Sequence, residues 1–446
     1  MNIVNQYPDA FVERMKALLP EDYDAFIKTL DGPSPTSVRM NTAKPTSKFA
    51  EAENISWCDT GKYLVERPSF TFDPLFHAGA YYVQEASSMF LEEVWKQLNL
   101  GNQPLKVLDL CAAPGGKSTH LLSLIRDDSL LVTNELIPNR NKILQQNIIK
   151  WGYANCIVTQ NKPEDFAGLG NYFDVILIDA PCSGEGLFRK DKDAISEWSE
   201  KNVGMCSVRQ KDILKNAAAC LKPGGYLIYS TCTYEPLEND ENITWMGQLG
   251  LNAHTTHLAK YPGIIKTNYG CQFYPHRIKG EGFYIAALQK EGSGHSYISP
   301  MVSNKKLAPL SPPLQGYLQQ PEAFTELKKN DLIFALPVWM QSDFAILEKR
   351  LYIRNAGVLA GSIKGKDFLP AHDLALSNQI RKEIQSVELT EEEAVTYLRC
   401  ETPKINSELR GWCLATYQGL NLGWMKLMPG RLNNYFPKDW RILKRG

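Results

Sequence analysis

The chain has 446 residues, 43% of them hydrophobic and 22% charged, and its Lys and Arg balance its Asp and Glu, so that the formal net charge is zero. This composition is that of a folded protein with ample core, and the length predicts roughly two to four domains. The zero net charge excludes a uniformly basic nucleic-acid coat but allows a local basic face. The sequence contains no apolar run of about 18 residues, so no membrane span is predicted.

The cysteines and the first residues both bear on the cellular compartment. No two of the ten cysteines have Cys-x-x-Cys spacing, so the sequence predicts neither a disulfide framework nor a zinc site, and no metal is expected. Residues 1–8 lack the basic segment and apolar run of an export signal. Free thiols are typical of a reducing compartment. We therefore expect a cytoplasmic protein.

The N-terminal part of the chain begins with an amphipathic stretch over 11–19, which continues through a second apolar group at 23–26. An extended segment with an arginine and an asparagine follows at 37–41. Apolar residues at helical spacing predict helices that each bury one face. We interpret residues 1–70 as a small N-terminal module.

Residues 71–290 predict the main domain, in which short β-branched runs alternate with helical patterns. This alternation is typical of a doubly wound, Rossmann-like α/β fold with a parallel sheet. Strands are predicted near 106–110, 130–134, 156–159, 173–178, 225–230 and 283–288, and helices near 117–126, 139–151, 206–221 and 239–249.

The rest of the chain changes character. Residues 291–318 are rich in Gly and Pro and predict a linker. Short apolar runs within 319–446 predict an α+β, β-rich C-terminal region. From residue 404 onward, eight Lys and Arg stand against two acidic residues. This surplus predicts an RNA-contacting face, although a plain solvated surface is the alternative.

A glycine-rich turn follows the first strand of the main domain. Glycine has no Cβ, so the backbone of such a turn can approach a bound nucleotide closely. Glu135 lies 20 residues after Gly115, at the end of the next predicted strand. An acidic residue at that spacing is placed to bind ribose hydroxyls. The predicted cofactor turn comprises Cys111, Ala112, Ala113, Pro114, Gly115, Gly116 and Lys117.

Two further loops each carry a cysteine directly after a buried apolar strand. One runs from Asp179 through Cys182 to Gly184, and the other contains Cys232 within Ser-Thr-Cys-Thr. Since ligands bind at the carboxyl ends of parallel strands, these loops are expected at the mouth of the cofactor pocket. Two cysteines beside a nucleotide-type pocket indicate covalent chemistry on a bound substrate.

Over about residues 35–290 these motifs resemble the RNA cytosine-C5 methyltransferases of the Nop/Sun family. The resemblance implies S-adenosylmethionine as cofactor and RNA as substrate. It implies that Cys232 is the nucleophile and that Cys182 assists product release. It also implies that Asp179 lies beside the methionine amino group of the cofactor and the target base.

One position departs from the family pattern, because Asn161 stands where an aspartate near the adenine is usual. It is still the predicted third cofactor contact, with Asp165 as the alternative. The C-terminal region resembles the PUA-like module of bacterial enzymes that methylate 16S rRNA, and the N-terminal module resembles the family's RNA-facing module. These similarities imply a 16S rRNA substrate, with transfer RNA as the alternative, and a monomer is expected.

The same motifs are less consistent with other classes of nucleotide-binding protein. Gly116–Thr119 resembles the end of a P-loop, but Cys111 replaces its first glycine and Pro114 removes a backbone amide. A dehydrogenase is disfavoured because G-x-G-x-x-G is absent, and an exocyclic-amine methyltransferase because Pro-Cys-Ser follows the aspartate. A ribosome-assembly factor that only binds RNA is the alternative from another class.

Three cationic side chains in or beside these motifs are candidates for contacts with negative charge. Lys117 is a candidate for the positive charge that favours a thiolate. Arg189, with Lys190, is a candidate phosphate contact, since both follow the Pro-Cys loop. A solvated charge cluster is the alternative for the latter pair.

Overall fold

The computed structural model describes residues 6–258, 260–292, 307–365 and 367–444. Its N-terminal part is a helical hairpin followed by a four-stranded antiparallel sheet in the order β2-β3-β1-β4. The elements are α1 (Asp9–Leu18), α2 (Tyr23–Leu30), β1 (Thr36–Met40), β2 (Glu53–Ile55), β3 (Cys58–Leu64), α3 (Pro74–Ala78) and β4 (Tyr81–Val83).

The main domain is a twisted sheet with helices on both faces, as the alternating pattern predicts. Its strands are β5 (Lys106–Asp109), β6 (Leu130–Asn134), β7 (Cys156–Thr159), β8 (Phe173–Asp179), β9 (Leu221–Thr231), β10 (Leu251–His254), β11 (Ile265–Lys266), β12 (Cys271–Phe273) and β13 (Phe283–Lys290). Its helices are α4 (Leu91–Gln97), α5 (Gly116–Leu124), α6 (Pro138–Trp151), α7 (Pro163–Ala167), α8 (Lys192–Glu197), α9 (Glu200–Cys220) and α10 (Asp240–Gly247).

Five parallel strands form the centre of this sheet, in the order β9-β8-β5-β6-β7. Most of their residues are apolar and buried, which is typical of parallel strands covered on both faces. Antiparallel β13 extends the sheet beyond β9. All six predicted strands and all four predicted helices are confirmed, with shifts only at their ends.

The C-terminal region consists of two small sheets, confirming its β-rich character. One has the order β14-β15-β16-β18-β19 and the other β20-β21-β22-β23. The elements are β14 (Ala308–Pro309), α11 (Pro312–Gln315), β15 (Phe324–Lys329), β16 (Leu332–Pro337), α12 (Gln341–Leu347), β17 (Ile353–Ala356), β18 (Val358–Lys364), β19 (Asp367–Pro370), α13 (His372–Leu376), β20 (Ser386–Glu388), α14 (Glu391–Leu398), β21 (Gly411–Tyr417), β22 (Leu420–Met428) and β23 (Arg431–Asn434).

The predicted linker over 291–318 lies mostly outside the described residues, which resume at 307 with β14 and α11. None of the helices in the described part of the chain has the length and apolar content that a bilayer span requires.

The C-terminal region also contributes to the main sheet. Its strand β17 pairs antiparallel with β7 and so covers the edge that the parallel strands leave open. The side chain of Asn161 fixes this junction, because its Oδ1 accepts from Tyr352 N at 2.8 Å and its Nδ2 donates to Tyr352 O at 3.2 Å. The backbone N of Gln160 donates to the same carbonyl at 3.1 Å.

Asn161→Ala should loosen this junction. Loss of the amide removes two hydrogen bonds to the Tyr352 backbone, each of which contributes about 0.5–1.5 kcal/mol. We expect faster amide hydrogen exchange in residues 352–356 and a lower unfolding midpoint. Gln160→Ala is the control, because that side chain donates only to Leu136 O. Equal exchange in both variants would contradict the assignment.

Candidate active site

The pairing of β8 with β9 brings the two cysteine loops together. Asp179, the last residue of β8, lies beside Ser230 of β9 in the parallel register. Both strands therefore end at the same level, and the loops that follow them meet. The Sγ atoms of Cys182 and Cys232 are 3.1 Å apart, and Cys232 N donates to Cys182 Sγ at 3.3 Å.

A buried polar network holds the Pro-Cys loop in place. Glu238 accepts from Ser183 N at 3.0 Å and from Gln210 Nε2 at 2.7 Å, and the same amide donates to Pro181 O at 3.0 Å. Burial raises the pKa of Glu238 to about 7. The residues on either side of Cys182 are thus fixed by one carboxyl and one amide.

The Thr-Cys loop is anchored to the first loop. Ser183 Oγ and Thr233 Oγ1 are 2.9 Å apart, and Gly186 N donates to Cys232 O at 2.8 Å. A Cβ at position 186 would lie 2.3 Å from Gly282 O, so only glycine allows this approach. The sulfur pair therefore sits in a preorganised frame.

The surroundings of Cys182 favour its protonated form. The hydrogen bond to Cys232, together with burial, raises the pKa of Cys182 well above its usual range. Cys182 is therefore a protonated thiol at neutral pH and can donate its S–H to the sulfur of Cys232. Cys182 is therefore the donor that this arrangement favours in the sulfur pair.

Asp179 connects the cysteine loops to the glycine turn. Its Oδ1 accepts from Lys117 Nζ and from Ser230 Oγ, each at 2.8 Å. Lys117, predicted to act on a thiolate, is thus paired with this carboxylate. The contact places one charged group between the cofactor turn and the two cysteines.

The glycine turn leads into α5 as predicted, with Gly115 at a φ of 111° that favours glycine. Together with the segment before α4 it encloses a cavity of about 200 Å³. A Cβ at position 116 would lie 3.3 Å from the Tyr82 ring across the cavity. The lining residues are Tyr82, Val83, Gln84, Glu85, Ser88, Asp109, Cys111, Ala112, Ala113, Pro114, Gly116, Lys117 and Asp179.

Asp109 was not singled out in the sequence, yet it is the most perturbed carboxyl of the cavity. Its Oδ2 accepts from Ser118 Oγ at 2.6 Å, whereas its buried Oδ1 has no hydrogen-bond partner. Burial raises its pKa to about 7. Asp109 is one of the residues that line this cavity, and an acceptor without a partner there fits a ligand with a donor group, such as the amino group of S-adenosylmethionine. The sequence signal that could have identified it is an acidic residue at the end of β5, directly before the glycine turn.

The other predicted cofactor residues lie beyond the cavity lining. Glu135 is buried, accepts from Ile137 N at 2.8 Å and lies 3.4 Å from Arg140 Nη1. Arg140 Nη2 donates to Ala113 O at 2.9 Å, so it joins Glu135 to the glycine turn. Asn161 bonds the Tyr352 backbone, and Asp165 accepts from Lys162 N at the start of α7. Their roles toward the cofactor stay predictions.

Two arginine side chains near the site are buried and form contacts within the protein. The prediction of Arg189 as a phosphate contact is wrong, because its side chain is 5% exposed and pairs with Glu281 at 2.9 Å. Lys190 is exposed. Arg39, in the segment compared with an RNA-facing module, is buried and donates to Gln84 Oε1 and Thr119 Oγ1. Its charge joins the N-terminal sheet to α5.

Comparison with known proteins identifies this arrangement. The sequence model of the family 16S rRNA methyltransferase RsmB/F matches residues 96–289. The family model of the N-terminal domain of 16S rRNA methyltransferase RsmF matches residues 7–86, and the family model of the methyltransferase RsmF PUA domain matches residues 384–442. A ribosomal RNA small subunit methyltransferase F from Vibrio parahaemolyticus is 30% identical over 475 residues, covering 97% of each chain. The chain belongs to the RsmF family. It is an S-adenosylmethionine-dependent methyltransferase.

Two further relatives agree with this assignment. The ribosomal RNA small subunit methyltransferase F of Shigella boydii is 29% identical, covering 97% of this chain and 96% of its own. A solved methyltransferase homolog protein from Pyrococcus horikoshii is 28% identical with a TM-score of 0.55, covering 65% of this chain and 98% of that one.

The geometry explains why this RsmF-family turn is not a P-loop. A P-loop needs its lysine and its hydroxyl residue free for phosphate and magnesium. Here Lys117 pairs with Asp179, and Ser118 is buried and donates to Asp109. The turn lies at the carboxyl end of the first parallel strand, the edge at which open α/β sheets bind their ligands.

Asp109→Asn should remove a pH-dependent penalty on folding. Between about pH 4 and 7 the unfolded chain ionises Asp109 while the folded chain keeps it protonated, so the wild type loses stability as pH rises. The variant should therefore gain on the wild type between pH 5 and 8. The expected gain is on the order of 2 kcal/mol, since one pKa unit corresponds to about 1.4 kcal/mol.

The measurement is denaturant unfolding at both pH values without cofactor. Asp127→Asn, on the surface, is the control. A constant difference between Asp109→Asn and wild type at the two pH values would show that Asp109 has an ordinary pKa.

Proposed function

We propose that this protein methylates carbon 5 of a cytosine in 16S rRNA through a covalent bond between Cys232 and carbon 6 of the base. The observation that carries this proposal is the contact between two cysteine sulfurs at the mouth of a cofactor cavity. The relatives named small subunit methyltransferase F support 16S rRNA as the substrate. From this substrate we infer that the protein acts in the cytoplasm.

The chemistry accounts for the need for a thiolate. Carbon 5 of cytosine is a weak nucleophile until a thiolate adds to carbon 6 and pushes electron density onto it. Bound S-adenosylmethionine supplies the electrophilic methyl group. The residues proposed to hold it are the turn Cys111–Lys117 with Asp109, Glu135 and Asp179, and Asn161 remains a proposed outer contact. Asp179, between the turn and the loops, is proposed to contact the target base as well.

The sulfur pair suggests how the two cysteines divide the work. Before reaction Cys182 holds the proton and Cys232 attacks. Once Cys232 is bonded to carbon 6, it no longer accepts the hydrogen bond that raised the pKa of Cys182, and Cys182 can release its proton to solvent. After carbon 5 has taken the methyl group, the Cys182 thiolate removes the carbon-5 proton, and the bond from carbon 6 to Cys232 breaks so that Cys232 leaves as a thiolate. The enzyme returns to its starting protonation.

The cytosine must leave its stack to reach these sulfurs, since carbon 6 is inaccessible in a helix. We therefore propose a loop or an otherwise unpaired segment of rRNA as the target. The basic surplus after residue 404, in the part that matches a PUA domain, is proposed as an RNA contact, and so is the exposed Lys190.

Cys232→Ala should abolish methyl transfer, because it removes the sulfur proposed to add to carbon 6. Labelled methyl transfer from S-adenosylmethionine is measured on 30S subunits, naked 16S rRNA and bulk tRNA, and the modified nucleoside is identified by mass spectrometry. Cys206→Ala, a half-buried cysteine of α9, is the control and should act as wild type.

Each result has a distinct meaning. 5-Methylcytidine in 16S rRNA with wild type only supports the proposal, whereas 5-methylcytidine only in tRNA would correct the substrate. No transfer from the wild type to any of these RNAs, with RNA binding intact, would favour an assembly factor.

Cys182→Ala should stall the reaction after methyl transfer, since the residue proposed to remove the proton is gone. The expected result is a protein–RNA adduct that survives denaturing electrophoresis. The double variant with Cys232→Ala is the control and should give no adduct. An adduct that persists in the double variant, or none in the single variant, would assign Cys182 another role.

A further inference from the structure

The helical hairpin at the N-terminus packs on both cysteine loops. From α1, Phe11 meets the Phe188 ring at 5.0 Å between centroids, six residues after Cys182. From α2, Phe26 meets Tyr234 at 5.2 Å, two residues after Cys232. Each helix thus contacts the continuation of one loop, and the four rings belong to one buried cluster.

One side chain of the hairpin reaches both loops at once. Arg14 Nη2 donates to Glu185 Oε1 at 2.5 Å, and Arg14 Nη1 donates to Glu235 Oε2. The two acceptors occupy equivalent places, since each is the third residue after its cysteine. A planar guanidinium can bridge two carboxylates in a fixed geometry, which a lysine cannot do.

The acceptor on the Pro-Cys side is itself a junction. The side chain of Glu185 is fully buried and also accepts from Trp198 Nε1 at 2.8 Å and from Tyr234 N at 3.2 Å. It therefore joins the first loop to the backbone of the second. A buried carboxylate needs a compensating charge, and Arg14 supplies it.

We propose that Arg14 is a positioning residue for the two-cysteine reaction: it ties the loop of Cys182 to the loop of Cys232 and keeps their sulfurs in contact. This proposal rests on the function proposed above, but its geometric part is independent of the substrate. The N-terminal hairpin is thus a brace of the active site in addition to any role in RNA binding.

Arg14→Ala should lower kcat for methyl transfer about 10- to 100-fold, the scale of a misplacement of reacting groups by up to about 1 Å. The KM for S-adenosylmethionine should not change, because Arg14 does not line the cofactor cavity. Lys16→Ala is the control, since it removes an exposed cation from the same helix.

A second readout reports the geometry without any substrate. Diamide, reduced to its hydrazine, oxidises two adjacent thiols to a disulfide, and the Cys182–Cys232 bond is quantified by peptide mapping. We expect rapid formation in the wild type and in Lys16→Ala, and formation about 10-fold slower in Arg14→Ala. Glu235→Gln removes the charge of one acceptor and leaves Glu185 compensated, so a slowing of about 3-fold is expected.

The outcomes separate the two proposals. Folded Arg14→Ala with wild-type kcat and disulfide rate would overturn the positioning role. If Arg14→Ala unfolds, an unchanged disulfide rate in Glu235→Gln overturns it instead. Slower disulfide formation in a protein whose wild type makes no 5-methylcytidine would support the positioning role while refuting the proposed function.

Discussion

The parallel register between β8 and β9 is the constraint on which the site depends. Because Asp179 lies beside Ser230, two loops that are far apart in sequence begin at neighbouring points of one sheet edge. A shift of this register would move the sulfurs apart and turn the polar residues that fix the loops away from them. The apolar side chains that both strands bury oppose such a shift.

Around this edge buried polar side chains bind the backbones of the two cysteine loops. Glu238, Gln210 and Glu185 bind the loop backbones from below, and each is fully buried. Hydrogen bonds in such surroundings are strong, while an unpaired group is costly, so the network allows few alternative loop conformations. These surroundings also raise the pKa of the Cys182 thiol, so that it keeps its proton.

Much of the fold could be predicted from the sequence because its signals are local. The β-branched runs before Cys182 and Cys232 and the spacing from Gly115 to Glu135 each lie within one supersecondary unit. Side-chain partners across the fold could not be predicted in this way. Arg189 looked like a surface cation because its acceptor, Glu281, is far away in sequence, and Arg14 gave no signal for the same reason.

Groups whose role depends on burial also could not be recognised from the sequence. Asp109 ends an ordinary strand, and only the three-dimensional structure shows that one of its oxygens is buried without a partner. Asn161 departs from the family pattern, and its amide bonds a backbone segment that follows it by almost two hundred residues. A side chain that is unusual in a motif can thus serve a domain junction that the motif does not contain.

The pairing of β17 with β7 has a consequence for synthesis on the ribosome. The five central strands have all emerged by Thr231, but the partner of the β7 edge is translated only after the whole segment between the two regions. Until then the nascent chain presents an open strand edge to its surroundings, which is the usual starting point of wrong pairing. Translation must therefore pass residue 356 before the main sheet is complete. The main domain thus finishes folding only when part of the C-terminal region has been made.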